Sequence, residues 1–184
     1  MELKKAIMTR RSHRKFVDYH VTDEDIREIL EAASLAPSWA NTQCWEFIIV
    51  RDKELIKKVT ETYSRKNPAC GCSFESSAII VALAKKNISG CKNGETRTKF
   101  NEWFMYDLGM AMQNMSLMIH DLGLGSVVVG SMNHDECAKL LEVPEDYELV
   151  AALPLGKPES FEKPVPPRKK ISDFAHLDYF GKNF

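Results

Sequence analysis

Spacing of apolar residues predicts two helices near the N-terminus. Leu3, Ala6 and Ile7 have i, i+3 and i+4 spacing within residues 2–9, so we expect a short helix with these side chains facing inward. A second helix is predicted to begin after Thr22, which can cap it, because Asp25 stands three residues further on as in a capping box. The buried stripe of this second helix comprises Ile26, Ile29, Leu30 and Ala33.

Four apolar runs predict strands. Phe47–Val50 is rich in β-branched residues and is bounded by charged ones, which is typical of a strand buried on both faces. Ala78–Leu83, Val127–Val129 and Glu148–Leu153 predict three more strands. Five prolines lie within residues 154–167, and proline disrupts both helices and central strands. We therefore expect this last segment to run extended over the surface.

The longest predicted helix covers Thr98–Leu122 and ends at Gly123. Apolar residues nearly encircle it, which indicates a helix in the middle of the molecule or at a subunit interface, with its methionines filling the core rather than binding a ligand. Asp52 and Asn133 can cap two shorter helices. Between these elements, the polar stretch Lys85–Thr96 predicts a mobile loop or lid.

Composition narrows the class of protein. A chain of 184 residues suits one domain spanning 1–184, and no apolar run approaches the roughly 20 residues of a membrane helix. The N-terminus shows no secretory signal, so we expect a cytoplasmic protein. Five cysteines form an odd set without metal-ligand spacing, which favours free thiols and no metal site. The net charge of −1 does not favour nucleic-acid binding.

A local basic cluster occupies residues 10–15. Arginine side chains make paired, charge-assisted hydrogen bonds to phosphate oxygens, and the hydroxyl of Ser12 can donate another. Cations that follow a helix also stabilise its negative dipole end, by about 0.3–1 kcal/mol each, so the residues alone leave both interpretations open. Because a helix C-terminus repels anions, any phosphate here must be bound by side chains.

A polar segment with two tryptophans follows the second helix, over Pro37–Trp45. Its amide and hydroxyl groups would be costly to bury without partners, which suggests a loop that contacts a ligand. The alternative is a surface connection whose tryptophans pack back on the core.

Four motifs then occur in a fixed order along nearly the whole chain. They are Arg10-Arg11-Ser12-x-Arg14-x-Phe16, Pro37-Ser38-x-x-Asn41-x-Gln43-x-Trp45, Gly123-Leu124-Gly125-Ser126 after the long helix, and Gly156-x-Pro158 followed by Pro167-Arg168-Lys169. In this order the motifs resemble those of the FMN-dependent nitroreductases, and the first two together are far more specific than either alone. The chain length is similar to that of the compact members.

The resemblance implies an α+β fold with a central, mostly antiparallel sheet flanked by helices. It also implies an intertwined homodimer with two FMN sites at its interface. The C-terminal tail, about residues 157–184, would cross to the partner subunit, which would explain its many aromatic residues.

The resemblance also implies which residues bind the cofactor. Phosphate would be bound by Arg10, Ser12 and Arg168, with Arg11 close by, while Arg14 would lie near the pyrimidine edge of the flavin. The other subunit would contribute Pro37, Ser38, Trp39, Ala40, Asn41 and Gln43. The backbone of Val128, Val129, Gly130 and Ser131 would face the redox-active edge of the flavin. His13 and Lys15 receive no role, and Cys44 stands where the family usually has proline.

The implied activity is hydride transfer from NADH or NADPH to a small oxidised substrate, such as a nitroaromatic or a quinone, in two separate half-reactions. The flavin would perform the chemistry, with Arg14 tuning it and no side chain required as a general acid. Two alternatives use the same cofactor. One is a flavoenzyme that oxidises its substrate or removes a halogen reductively, and the other is a non-enzymatic FMN carrier or redox sensor that uses Cys70 and Cys72.

Overall fold

The structure, a computed structural model, describes residues 1–184. Six helices and seven strands follow one another along the chain, joined by turns and two short 3₁₀ helices. In order they are α1 (Leu3–Thr9), β1 (Phe16–Val17), α2 (Asp23–Ser34), a 3₁₀ turn (Trp39–Asn41), β2 (Trp45–Val50), α3 (Lys53–Glu61), α4 (Cys70–Phe74), β3 (Ala78–Lys85), β4 (Cys91–Lys92), β5 (Glu95–Thr96), α5 (Phe104–Asp121), β6 (Gly125–Ser126), α6 (His134–Leu140), β7 (Tyr147–Pro158) and a 3₁₀ turn (Ile171–Asp173). No helix combines the length and the apolarity needed to cross a membrane.

Five strands form the central sheet in the order β1-β7-β3-β2, and β6 also pairs with β7. Every pairing is antiparallel, with Ile80 of β3 opposite Leu153 of β7 on one side and opposite Ile49 of β2 on the other. The antiparallel sheet flanked by helices confirms the predicted α+β fold.

Helical layers cover both faces of the sheet. Alternate residues of β3 point to opposite faces, so Ala78, Ile80 and Ala82 pack with α2 and α5. Ile79 and Val81 pack on the other face, in a second cluster with residues of α3, α4 and α6. The two cores account for the almost continuous apolar sequence of β3.

Helix starts with local capping signals were predicted correctly. The Asp25 N–H donates to Thr22 Oγ1 at 3.1 Å, and the Thr22 N–H donates to the Asp25 carboxylate at 2.8 Å, which completes the capping box of α2. Asp52 caps α3 and Asn133 caps α6 in the same way, through their side-chain oxygens. Each cap satisfies backbone donors that the helix itself leaves without partners.

The long helix is shorter than predicted, because α5 begins at Phe104 rather than Thr98. The Thr98 hydroxyl oxygen accepts hydrogen bonds from the Phe100 N–H at 3.1 Å and from the Trp103 indole N–H at 2.8 Å. These local bonds compete with helical ones, as threonine side chains often do. Within the Lys85–Thr96 stretch the structure has a short hairpin of β4 and β5. The predicted role of this stretch as a mobile loop or lid stays a prediction.

The prediction that residues 154–167 avoid a central strand was wrong, because β7 continues through Pro154 to Pro158. The N–H groups of Ala152 and Val129 each donate to the other residue's carbonyl at 2.9 Å. Residues two apart in a strand direct their backbone groups to the same side, so Pro154 faces the same side as Ala152. On that side it lies between the Val129–Ala152 bridge and the pairing of Ser126 with Leu155, where the ladder is interrupted. No N–H is required there, which makes proline tolerable.

Three predictions of burial or pairing also need correction. Leu3 and Ile7 of α1 are 68% and 57% exposed, and only Ala6 of that helix is buried. β2 is an edge strand and is largely half-buried, not covered on both faces. Val127–Val129 is not a strand, because the ladder uses β6 and then the single bridge between Val129 and Ala152.

The aromatic residues at the end of the C-terminal tail, from Phe174 onward, lie on the outside of the chain. Phe180 is 94% exposed, and Phe174, Tyr179 and Phe184 are also exposed. Docking of these aromatic residues on the chain's own body is therefore not observed, and the crossing of residues 157–184 to a partner remains a prediction.

Candidate functional site

A strongly cationic cavity lies where the two ends of the chain meet. We call it the arginine cavity; it has a volume of about 320 Å³ and is lined by Arg10, Arg11, Ser12, Arg14, Lys163, Pro164, Pro166 and Arg168. The structure thus brings Arg168 to the N-terminal basic cluster, although more than 150 residues separate them in sequence.

Sheet pairing explains this convergence. β1 pairs with the end of β7, with Phe16 opposite Pro158, so the chain leaves the sheet beside the basic cluster. The His13 N–H donates to the Ser126 carbonyl at 2.9 Å, which attaches the cluster to β6 as well. Lys163 Nζ then donates to the Ser12 carbonyl at 3.1 Å and closes the cavity from the C-terminal side.

None of the five cations lining the arginine cavity has a carboxylate within 4.0 Å. Arg11 donates to the Met8 and Arg10 carbonyls, and Arg168 to the carbonyl of Pro166. Burial, followed by the positive charges of Arg11 and Arg168, lowers the pKa of Arg10. Uncompensated positive charge of this density favours binding of an anion.

Lys163 belongs to the arginine cavity but was not predicted. Burial and the neighbouring Arg14 charge lower the pKa of its ammonium group. A lysine between Pro158 and Arg168 was a visible signal. Its position, however, depends on the pairing of β1 with the end of β7, and the prolines of that segment had argued against a strand there.

The loop Pro37–Gln43 forms a second candidate region and does not line the arginine cavity. Ala40, Asn41 and Gln43 all have positive φ angles, of 44°, 55° and 45°. Such angles are uncommon for residues other than glycine and often mark functional loops. The Gln43 N–H donates to Ser38 Oγ at 3.0 Å, which helps to fix this conformation.

Buried Asp107 anchors that loop and was missed by sequence reasoning. Its carboxylate accepts the Trp39 N–H at 3.1 Å and the Ser89 hydroxyl at 2.6 Å, so it joins the loop to α5 and to the turn that follows β3. The Trp39 ring packs on Trp103, with 5.4 Å between centroids. An acidic residue on an otherwise apolar helix face was the available signal.

Both tryptophans of the loop segment pack on the chain itself, since Trp45 is buried and Trp39 is half-buried. Cys44 also points inward, with its Sγ 3.7 Å from the Asp107 carboxylate. Burial and then the Asp107 charge raise the pKa of the Cys44 thiol to about 12, so it stays protonated at neutral pH. Cys44 is therefore a buried thiol held in its protonated form.

The third candidate region, residues 128–131, offers free backbone donors. Val129 is not one of them, because its N–H donates to Ala152 in the sheet. The N–H groups of Val128, Gly130 and Ser131 donate to no group of this chain. The Ser131 carbonyl accepts bonds from the Ser64 N–H at 2.9 Å and the Asn67 side chain at 3.1 Å, which holds the segment in place.

The sheet, its two helical layers and the arginine cavity define an α+β protein with one concentrated cationic site. A family model described as the nitroreductase family matches residues 7–157. The chain belongs to the nitroreductase family, which confirms the resemblance found in the sequence motifs.

Relatives and solved structures agree with this assignment. A protein of Archaeoglobus fulgidus named as an NADH dehydrogenase/NAD(P)H nitroreductase is 37% identical over 164 residues, covering 86% of each chain. An FMN reductase [NAD(P)H] of Bacillus subtilis is 28% identical, over 93% of this chain and 72% of that protein. The solved structure of B. megaterium NfrA2 is 26% identical and superposes with a TM-score of 0.82, covering 97% of this chain and 75% of the other.

Proposed function

We propose that the protein is an FMN-dependent oxidoreductase that transfers hydride from NADH or NADPH to a small oxidised substrate of the nitroaromatic or quinone type. The observation that carries the proposal is the arginine cavity, in which five cations without carboxylate partners surround the Ser12 backbone and hydroxyl. The names of the A. fulgidus and B. subtilis relatives support both the cofactor and the electron donor.

The residues of the arginine cavity fit the phosphate group of FMN. Arg10 and Arg168 would each offer a planar fork of donors, and Ser12 would offer its hydroxyl. Lys163 and Arg11 would add positive charge that no carboxylate of this chain neutralises. Burial and then repulsion by Arg11 and Arg168 lower the pKa of Arg10, and a phosphate dianion would offset that repulsion.

The remainder of the cofactor would be bound beyond the arginine cavity. The unpaired N–H groups of Val128, Gly130 and Ser131 are suited to oxygen and nitrogen acceptors of a flavin ring. The Val129–Ala152 bridge fixes residues 128–131 to the sheet, so these donors are oriented before a ligand binds.

A second copy of the chain would complete the site. Pro37–Gln43 has the strained backbone of a ligand loop, yet lies outside the arginine cavity of its own chain. Exposed apolar residues on α1 and α5, including Leu3, Ile7 and Met105, provide surface that a homodimer would bury. The partner's loop would then contribute Ser38, Trp39, Ala40 and Asn41.

When bound, FMN would supply the hydride chemistry, accepting a hydride from the nicotinamide in one half-reaction and passing it to the oxidising substrate in the other. The chain's own residues would bind and orient it. Arg14 lines the arginine cavity, is exposed and has no ion-pair partner. Its side chain would reach from the phosphate towards the flavin ring and place a positive charge against the negative charge that reduction adds. Protons would come from solvent at an open site.

Comparison of FMN with riboflavin tests the assignment of the arginine cavity. The two ligands differ only by the phosphate, so we expect riboflavin to bind on the order of 100-fold more weakly, or worse, because several charge-assisted hydrogen bonds are lost. Titration of the flavin fluorescence with apoprotein measures both affinities. Equal affinities would show that these cations do not bind the phosphate.

Replacement of Arg14 by alanine is expected to slow flavin reduction while much of the FMN remains bound. The phosphate would still be held by Arg10 and Arg168, whereas the charge that favours the reduced state would be missing. Anaerobic stopped-flow mixing with NADH measures the reduction rate, with Arg14→Lys as the matched variant that keeps the charge. If Arg14→Ala reduces its flavin as fast as the parent protein, this role is wrong.

A further inference from the structure

We propose that Phe161, clamped between His13 and His120, is a positioning residue that brings Lys163 and Arg168 into the arginine cavity. The proposal rests on the proposed FMN site. It gives a role to His13, the member of the basic cluster that the sequence motifs left without one.

Phe161 lies in aromatic contact with both histidines, while 43% of its surface remains exposed. Its ring centroid is 5.5 Å from that of His13 at an interplanar angle of 70°, an edge-to-face arrangement, and 6.0 Å from that of His120. Aromatic pairs at such distances stabilise the packing beyond the area that they bury. The two contacts tie the C-terminal segment to the basic cluster and to the last turn of α5.

His13 forms the fixed wall of this clamp. It is only 2% exposed, and neither ring nitrogen has a hydrogen-bond partner. Gly125 leaves just enough room for it, because an added Cβ there would lie 2.9 Å from the His13 Cβ. Burial, then the charges of Lys163, His120 and Arg10, lower the pKa of His13 to about 4, so the ring is neutral near pH 7 and acts by packing.

The segment that follows Phe161 has few other attachments. Residues 160–169 make no backbone–backbone hydrogen bond. The Lys15–Glu159 ion pair at 3.8 Å is largely exposed and contributes little to holding the segment. The remaining attachment is the hydrogen bond from Lys163 Nζ to the Ser12 carbonyl at 3.1 Å. Ordering an unanchored segment on binding costs conformational entropy, which would cancel much of the binding energy of Arg168.

Phe161→Ala is therefore expected to weaken FMN binding on the order of tenfold, while riboflavin affinity stays unchanged because Lys163 and Arg168 act on the phosphate. Phe161→Tyr keeps the ring and should restore binding. Val165→Ala is the matched control, because Val165 lies in the same segment, is exposed and does not line the cavity. Fluorescence titration of each protein with FMN and with riboflavin measures these effects.

Limited trypsin digestion of the flavin-free proteins tests the clamp without reference to the cofactor. Cleavage after Arg168 and Lys169 should be several-fold faster in Phe161→Ala than in Val165→Ala, because the segment is released. Equal cleavage rates would overturn the clamp, as would an equal loss of FMN and riboflavin affinity. A parent protein that does not prefer FMN to riboflavin would instead contradict the proposed phosphate site, and the digestion result would still decide the clamp.

Discussion

Arg10→Ala protein is expected to bind FMN roughly 10- to 150-fold more weakly than the parent. Arg10 is half-buried in the arginine cavity, without a carboxylate partner, and would donate charge-assisted hydrogen bonds to the phosphate. Such bonds contribute about 1.5–3 kcal/mol, and about 1.4 kcal/mol corresponds to tenfold in affinity. Fluorescence titration at fixed ionic strength measures the dissociation constant.

Lys15→Ala is the matched control for Arg10. Lys15 belongs to the same basic cluster, but it does not line the arginine cavity and it pairs with Glu159. Its removal changes the net charge equally, so any general electrostatic effect appears in both variants. If Arg10→Ala and Lys15→Ala bind FMN alike, the cluster acts as a diffuse field and Arg10 is not a specific phosphate ligand.

Gly156→Ala is expected to lower the free energy of unfolding by about 1–3 kcal/mol, as overpacking of a filled core does. A Cβ at this position would lie 2.5 Å from the Phe16 ring, and Gly156 itself pairs with Gly125 of β6. Both glycines let β1, β6 and β7 approach closely beneath the basic cluster. For a protein of this size the melting temperature should fall by roughly 2–12 °C.

Gly71→Ala provides the comparison for that substitution. Gly71 lies in α4, is exposed, and has no heavy atom within 4 Å of an added Cβ. Alanine favours helix by up to about 1 kcal/mol, so this variant should melt at the same temperature as the parent or higher. Thermal melting monitored by circular dichroism measures both variants. A Gly156→Ala protein as stable as Gly71→Ala would show that the contact with Phe16 is easily relieved.

Elements specified by neighbouring residues were predictable from the sequence. The capping box of Thr22 and Asp25 starts α2, and the apolar run of Ala78–Leu83 forms β3. In these cases the signal lies within a few residues. The hairpin of β4 and β5 also had a local signal that was overlooked, since Asn93 and Gly94 have φ angles of 54° and 77° and form the tight turn.

Features that depend on distant partners were not predictable. Pro154 fits inside β7 only because the ladder beside Ala152 is interrupted, and that interruption is a property of the folded sheet. The exposure of Leu3 and Ile7 depends on what covers α1, which its own periodicity does not specify. Periodicity predicts a face that is apolar; it does not predict the surface that buries it.

The candidate site divides in the same way. The convergence of Arg10, Ser12 and Arg168 was expected from the order of the family motifs, and the arginine cavity contains all three. Lys163 and Asp107 were not expected, because their positions follow from strand pairing and from the packing of α5 against the Trp39 loop. Their roles are visible only in three dimensions.

Anaerobic mixing with a reduced nicotinamide tests the central claim most directly. The purified protein is loaded with FMN, mixed with NADH or NADPH without oxygen, and followed by the visible absorption band of the oxidised flavin. The proposed function predicts that at least one nicotinamide bleaches this band, and that a quinone or a nitroaromatic then restores it. A protein that cannot be loaded with FMN, or whose flavin neither nicotinamide bleaches, would contradict the account.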